Sequence, residues 1–344
     1  MELRTLGHSD IKVSKICLGT MNFGEQNSEQ EAHEQLDYAF ANGVNFLDTA
    51  ELYAVPIKAE TQGLTEKYIG TWLQNQKRDK VIVSSKICGP SANITWIRNK
   101  LNYSNESIDT ALEGSLKRLK TDYIDLYQLH WPERDTNRFG VRDLSKVDVW
   151  KDNFVRVIGK LNNLIKEGKI RTWGLSNETP WGVMRILQVC KENNFEKPVS
   201  IQNAYSLLNR TFENGMSEVS LREGIPLLAY SPLAVGLLTG KYHLKKDKPE
   251  DRMNQFNSYV ARYNKEHQFE VAGKYLEVAQ KHDIPMAKMS LSFVNESSFV
   301  ASNIIGATNL DQLKENIDSA ITKIPNACMR DINKLHNQFP NPCP

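Results

Sequence analysis

Short apolar runs recur along the chain, each long enough for one buried strand and too short for a core helix. They are ICLGT (16–20), VNFLDT (44–49), VIVSSK (81–86), IDLYQLH (124–130), TWGLSN (172–177), VSIQNAY (199–205), PLLAYSP (226–232) and NIIGAT (303–308). Between them the pattern switches to a helical period. SEQEAHEQLDYAFANG opens on Ser28 as N-cap, sets Glu31 where a capping-box partner belongs, and stops at Gly43. SNESIDTALEGSLKRLK lines up Ile108, Ala111, Leu112, Leu116 and Leu119 on one face. VWKDNFVRVIGKLNNLIKEGKI is a further amphipathic stretch. Strands alternating with helices predict parallel pairing. Eight such units predict an α/β fold, a (β/α)8 TIM barrel built by residues 1–344 as a single domain. A doubly wound sheet is the rival, but no GxGxxG follows any of these runs, so no Rossmann domain is expected.

The alternation is interrupted by long connections at 54–66, 132–148 and 236–268, each placed after a strand. In a barrel that end carries the active site. The same ends carry groups that a packed interior would not choose: Asp48, with Tyr53 in the following loop, then Lys86 and His130. Taken singly, each has a plainer role: a turn-capping Asp, a surface Tyr, a solvated Lys, a core His. Together, on one rim, they suit proton transfer. A phenol has an ordinary pKa of about 10 and is a poor acid near neutrality. An ammonium beside it is expected to lower that value. A carboxylate would hold the ammonium, and an imidazole would orient a carbonyl oxygen. Asp48 is then the anchor, Lys86 the tuner, Tyr53 the acid and His130 the orienter.

Composition narrows the class. Of 344 residues, 40% are hydrophobic and 24% charged, with a net charge of +2, which offers no footprint for nucleic acid or a membrane surface. The five cysteines are scattered, with no CxxC and no His at zinc-ligand spacing, so free thiols in a reducing cytoplasm and no metal site are expected. The N-terminus is too polar for a signal peptide, and no run reaches the roughly 18 apolar residues of a membrane span.

Several segments resemble the aldo-keto reductase family: TLGHSDIKVSKICLGTMNFG, NFLDTAELY, SLKRLKTDYIDLYQLHWP, IQNAYSLLNR, LLAYSPLAVGLLTGKY and IIGATNLDQLKENI. The likeness runs from about residue 1 to 335. It implies a (β/α)8 barrel that binds a nicotinamide cofactor, usually NADPH, and reduces a small-molecule carbonyl compound. It sets Asp48, Tyr53, Lys86 and His130 on the family's catalytic tetrad, with Tyr53 as proton donor. It also implies cofactor contacts. Thr20 and Met21, with Asp48, would lie at the nicotinamide end; Ser176, Asn177 and Gln202 would hold the carboxamide, and Tyr230 would stack on the ring. Ser231, Pro232, Leu233, Ala234, Val235, Gly236 and Lys241 would follow the pyrophosphate. Gly306, Thr308, Gln312, Glu315 and Asn316 would hold the adenosine end. The residues themselves agree in part: LSNET and IQNAY put amides at strand ends, and GATNLDQLKEN is a turn feeding a helix N-terminus, where a phosphate is favoured or where Asn309 merely caps. Two positions depart from the family. Ala54 stands where a Gly often follows the Tyr, and GATN lacks the Lys or Arg that many relatives use for the 2′-phosphate, which leaves Lys241 and Arg252 for that group.

The leading expectation is therefore an NADPH-dependent carbonyl reductase. Met21, Trp131 and the 54–62 and 132–148 loops would rim its pocket, with Tyr205, Phe139 and Trp96 as further candidates. Two other readings stay open from sequence: a cofactor-binding regulatory or redox-sensing module of slow turnover, and a sugar-phosphate isomerase or lyase on the same fold.

Overall fold

The computed structural model describes residues 1–141, 144, 148–257 and 259–343. The chain opens with a small hairpin, β1 (Leu3–Thr5) against β2 (Lys12–Ser14), paired antiparallel. Strands β3 (Ile16–Gly19), β4 (Phe46–Asp48), β5 (Ile82–Ile87), β6 (Ile124–Leu129), β7 (Ile170–Ser176), β8 (Ile201–Ala204), β9 (Leu227–Tyr230) and β10 (Val300–Ile305) follow. They pair in parallel and in order, and β10 returns to β3 to close the barrel. All eight expected strands are present, and the fold is the expected (β/α)8 TIM barrel.

The expected helices are present too. In chain order come α1 (Glu29–Ala41), α2 (Leu64–Leu73), α3 (Asn105–Leu119), α4 (Phe154–Lys166) and α5 (Pro180–Asn193), of which α1, α3 and α4 are the three expected stretches. Ser28 and Glu31 make the capping box around the start of α1. The rest of the chain adds α6 (Met216–Glu223), α7 (Arg252–Gln255), α8 (Glu266–Lys281), α9 (Met286–Glu296), α10 (Leu310–Asp318) and α11 (Asn326–Gln338). The 236–268 connection is thus partly ordered: it holds a 3-10 segment at Ala234–Thr239, α7, and a 3-10 turn at Ala261–Tyr263. Part of the 132–148 loop (142–143 and 145–147) lies outside the described residues.

The hairpin was not foreseen. Its buried Leu6, Ile11 and Val13 join Cys17, Phe46, Ile82, Leu126, Leu228 and Ala301 in one apolar cluster. It is tied down by Arg4, which donates to the carbonyls of Val300 and Asn295 at 2.8 and 2.9 Å. Its turn needs glycine: Gly7 has φ +57°, and a Cβ there would sit 2.3 Å from the Val199 oxygen. The hairpin plugs the N-terminal end of the barrel, so access is left to the C-terminal mouth.

The two-residue period of a strand explains what lies above this plug. Two residues on from buried Phe46 comes Asp48; from Ile82 come Ser84 and then Lys86; from Leu126 come Gln128 and then His130; from Leu228 comes Tyr230. An apolar layer therefore carries a polar layer, in which Asp48, Ser84, Lys86 and Gln128 are all buried. The intervening residues Leu47, Val83, Tyr127 and Leu129 face the helices in the outer core. Among the described residues no helix is long and apolar enough to cross a membrane.

Candidate active site

Asp48 is the hub of the polar layer. Lys86 Nζ donates to its Oδ2 at 2.6 Å, and also to the Thr49 carbonyl at 2.8 Å. The other oxygen, Oδ1, accepts from Gln202 Nε2 at 2.8 Å, Ser84 Oγ at 3.1 Å and Gln128 Nε2 at 3.4 Å. The lysine side chain is 0% exposed and the aspartate 4%. A buried ion pair needs further hydrogen bonds to offset its desolvation, and here both Asp48 oxygens are engaged and the ammonium has a second acceptor.

Tyr53 and His130 close over this pair. The Lys86 ammonium lies 5.0 Å from the centre of the Tyr53 ring. Tyr53 and His130 meet edge to face with ring centres 5.7 Å apart. The four residues expected to act together therefore do converge.

One electrostatic expectation fails. The Tyr53 phenol is not lowered but raised well above its ordinary value, first by burial and then by Asp48, Tyr259 and Tyr230; the Arg252 guanidinium pulls the other way. The reason is local: the Lys86 charge is already engaged at 2.6 Å by Asp48, so burial of the phenol dominates. The phenol accordingly keeps its proton at neutral pH. Burial, and then the Lys86 charge, hold the His130 imidazole well below its ordinary value, so it is neutral there. Among the described residues its buried Nδ1 has no hydrogen-bond partner.

The loop carrying Tyr53 is pinned by a residue that the sequence reading passed over. Glu51 Oε1 accepts from Cys88 N at 2.6 Å and from Arg98 Nη2 at 2.8 Å, and Oε2 accepts from Arg98 Nη1 at 2.6 Å. Its carbonyl accepts from Gln62 Nε2 at 2.6 Å, and Gly63 N donates to the Tyr53 carbonyl at 2.6 Å. A second such tie joins the loop after β6 to that after β7, through the buried pair Arg134–Glu178. The only available signal was charge at strand ends, and neither glutamate stood out from the solvated acids around it.

Trp131 is buried, with Nε1 donating to the Pro90 carbonyl at 3.0 Å, and forms part of the pocket wall with Leu52, Ile94 and Leu101. The wall can come this close because residue 89 is glycine; a Cβ there would sit 2.5 Å from the indole. Phe139 and Trp96 are both exposed, and Phe139 meets Trp131 edge-on. Tyr205 is not at the pocket: its hydroxyl donates to Glu213 at 2.6 Å and its ring stacks on Phe293, within the shell of helices. The strand-end reading misplaced it because Tyr205 follows β8 on the outward face.

The remaining named residues fall into two groups along the mouth. At the barrel centre, Thr20 Oγ1 donates to the Asp48 carbonyl at 2.8 Å, and Met21 O accepts from Val55 N at 2.9 Å. Asn177, with φ +54°, donates from Nδ2 to the His130 carbonyl at 2.9 Å and to Ser176 Oγ at 3.0 Å. It accepts at 2.7 Å from Tyr230, and Ser176 Oγ donates to the Gln202 carbonyl at 2.9 Å. The backbone then turns left-handed at Ser231, Ala234, Val235 and Gly236, a shape that makes anion-binding concavities from N–H groups. Lys241 is paired with Asp251. Arg252 binds the side chains of Asn22 and Gln26, the latter at 3.2 Å, and approaches Met21 Sδ at 3.9 Å.

At the outer end, Asn309 caps α10 by accepting from Gln312 N at 3.0 Å. Gln312 Oε1 accepts from Thr308 N and Oγ1, both at 3.1 Å, and Asn316 Nδ2 donates to the Gly306 carbonyl at 3.0 Å. Glu315 is half-buried on the same helix. Asn22 Nδ2 reaches the Ala307 carbonyl at 3.3 Å, so Arg252 sits one residue away from this outer group. A Cβ at Gly306 would meet only Asn22, at 3.9 Å, which leaves open space beside the turn. An elongated, partly anionic cofactor running from Tyr230 past 231–236 to 306–316 fits these residues.

Comparison with known proteins agrees with this geometry. The Aldo/keto reductase family matches residues 15–337. The chain is 46% identical over 351 aligned positions to Protein tas of Escherichia coli strain K12, covering 100% of both chains. It is 36% identical to an aldo-keto reductase of Babesia bovis, over 76% of this chain and 98% of that one. It is 30% identical to the oxidoreductase YrpG of Bacillus subtilis, over 99% and 97%. Barrel, polar layer and full-length likeness agree: the chain belongs to the aldo/keto reductase family of oxidoreductases.

Proposed function

We propose that the protein reduces aldehydes and ketones to alcohols with NADPH, and that Tyr53 donates the proton. The observation that carries this reading is the convergence of Tyr53 and His130 over the buried Asp48–Lys86 pair. When bound, the nicotinamide cofactor supplies the hydride. The chain's own part is acid catalysis and positioning. His130, neutral, hydrogen-bonds the carbonyl oxygen through Nε2 and fixes it beside the phenol. Tyr53 keeps its proton until negative charge grows on that oxygen and then transfers it from Oη. Lys86 stabilises the phenolate left behind, and Asp48 holds Lys86 in place. Trp131 and its neighbours exclude water from one side of the pocket. Cys17, Cys88, Cys190 and Cys328 are buried free thiols, which suits a protein of the cytoplasm.

Tyr53→Phe keeps the ring and removes the donor. Carbonyl-dependent oxidation of NADPH should fall by at least ~10²-fold, while NADPH affinity changes little. A variant that keeps most of its turnover would rule out Tyr53 as the acid. If the wild type oxidises only one equivalent of bound NADPH and then stalls, the protein is a cofactor-sensing module instead.

Choice of cofactor rests on the segment after β9. Arg252 carries no ion pair among the described residues, whereas Lys241 is already held by Asp251. We infer that Arg252, freed from Asn22, takes the 2′-phosphate, with Lys241 beside the other phosphates. Arg252→Ala should weaken NADPH binding by about 1.5–3 kcal/mol and leave NADH nearly unchanged. Titration of both cofactors into both proteins measures this; an equal loss for the two would remove Arg252 from phosphate recognition.

A further inference from the structure

The loops at the barrel mouth hold a second guanidinium that has no carboxylate partner among the described residues. Arg262 is half-buried in the 3-10 turn Ala261–Tyr263. Its Cζ lies 5.5 Å from the centre of the Phe139 ring and 5.2 Å from that of Tyr263. Phe139 meets Trp131 edge-on at 5.9 Å, and the Trp131 ring centre is 4.9 Å from that of His130. A continuous aromatic wall therefore joins this cation to the proton-handling centre. From the other side, its charge reaches Tyr259 and Tyr230, and Tyr230 is the residue that holds Asn177.

Three other arginines with little exposure have an acidic partner: Arg98 has Glu51, Arg134 has Glu178, and Arg210 has Glu213. Among the described residues Arg262 has none; its contacts are the two rings. Among the described residues Arg138, adjacent to Phe139, likewise donates to neutral oxygens, those of Arg134 and Thr136. A guanidinium set against aromatic rings has lost much of its rotamer freedom before any ligand arrives. The rings stabilise it as a cation but satisfy none of its N–H donors. Those donors form a fork that matches a carboxylate.

We propose that Arg262 determines substrate specificity, and that the pocket prefers aldehydes or ketones bearing a carboxylate at the end remote from the carbonyl. This rests on the reading above, in which Tyr53 and His130 receive the carbonyl oxygen. The wall of Trp131 and Phe139 would then lie along the body of the substrate.

A rigid pair of probes tests it: 4-carboxybenzaldehyde and its methyl ester, which differ in charge at the remote end. Binding to the full-length protein, saturated with NADP+, is read by quenching of tryptophan fluorescence. The wild type should bind the acid about tenfold or more tightly than the ester at low salt, as for a hydrogen bond to a charged group. The preference should shrink as ionic strength rises. It should be lost in Arg262→Met and intermediate in Arg262→Lys, which keeps charge without the fork. A wild type that binds acid no better than ester overturns the proposal without any variant, and so does an Arg262→Met protein that keeps the preference. NADPH oxidation is followed separately. Acid preference in binding, with neither probe reduced, would support Arg262 and sink the reductase reading. Reduction of both probes with no preference would sink Arg262 alone.

Discussion

At the closed end of the barrel Asp125 is 1% exposed; at the open end Asp48 is 3% exposed. Both carboxylates are held by cations, yet the cations differ. Asp125 accepts from Arg78 and Arg171, each at 2.8 Å, and from Val83 N at 2.9 Å. Both arginines reach solvent, with side chains 20% and 37% exposed. Asp48 is paired with Lys86, whose side chain is 0% exposed. An arginine that keeps part of its fork in water loses little hydration, and it stays charged whatever surrounds it. A lysine sealed inside the barrel has no such outlet, and everything that keeps it charged must come from Asp48 and the Thr49 carbonyl. The lower cluster of Asp125 with its two arginines ties strand to strand. The upper pair stores a charge beside a phenol, an arrangement that stability alone would not select.

Breaking the upper pair should have the largest effect. Lys86→Met leaves Asp48 buried without its cation, and chemical denaturation should show a loss of about 3–5 kcal/mol. Turnover at saturating cofactor should fall as well, with the pH–rate profile displaced upward because the phenolate has lost its ammonium. A profile of unchanged shape and height would reduce Lys86 to a structural part and erase the contrast.

Asp125→Asn should be milder. Two half-solvated arginines keep water and one amide oxygen, so about 1–3 kcal/mol is expected. Carbonyl turnover per folded molecule should stay at the wild-type level. A loss of turnover at a temperature where the variant is fully folded would mean that the two ends of the barrel are coupled.

The smallest effect concerns pH. The folded-state value of His130 lies well below its ordinary one, so the unfolded chain binds a proton there first as pH falls. With more protons bound in the unfolded state, stability rises with pH, and folding loses free energy below about pH 6.5, by at most about 1.4 kcal/mol per pH unit from this group. The melting temperature of wild type should therefore drop more steeply from pH 7 to pH 5 than that of His130→Gln. Parallel curves would show that His130 takes up its proton in the folded protein after all.

Much of the polar layer was legible. VNFLDT, VIVSSK and IDLYQLH each show apolar residues giving way to a polar one at the strand's C-terminal end, and the period of two fixes which residues share the interior. Asp48, Lys86 and His130 could be named on that basis. Ser84 and Gln128, which complete the shell around Asp48, sit on the same stripe, but a single Ser or Gln in a strand is too ordinary to signal a role. The hairpin escaped because strands of three residues, Leu3–Thr5 and Lys12–Ser14, are too short to show alternation. Tyr205 was misassigned because a tyrosine just past a strand end faces either inward or outward, and only its contacts with Glu213 and Phe293 say which.

The sequence by itself determined the alternation of strand and helix, the absence of a phosphate-binding Gly-rich turn, and the strand ends at which Asp48, Lys86 and His130 appear. These are local properties, set by side-chain period and by the chemistry of single residues. The tertiary structure alone decided which charges are spent. Lys86 is taken up by Asp48, Glu51 by Arg98, Glu178 by Arg134 and Lys241 by Asp251, while Arg252 and Arg262 have no acidic partner among the described residues. It also decided that the Tyr53 phenol would be raised rather than lowered. Both outcomes depend on distance and burial, and those quantities exist only once segments far apart in the chain have been brought within a few ångströms of each other.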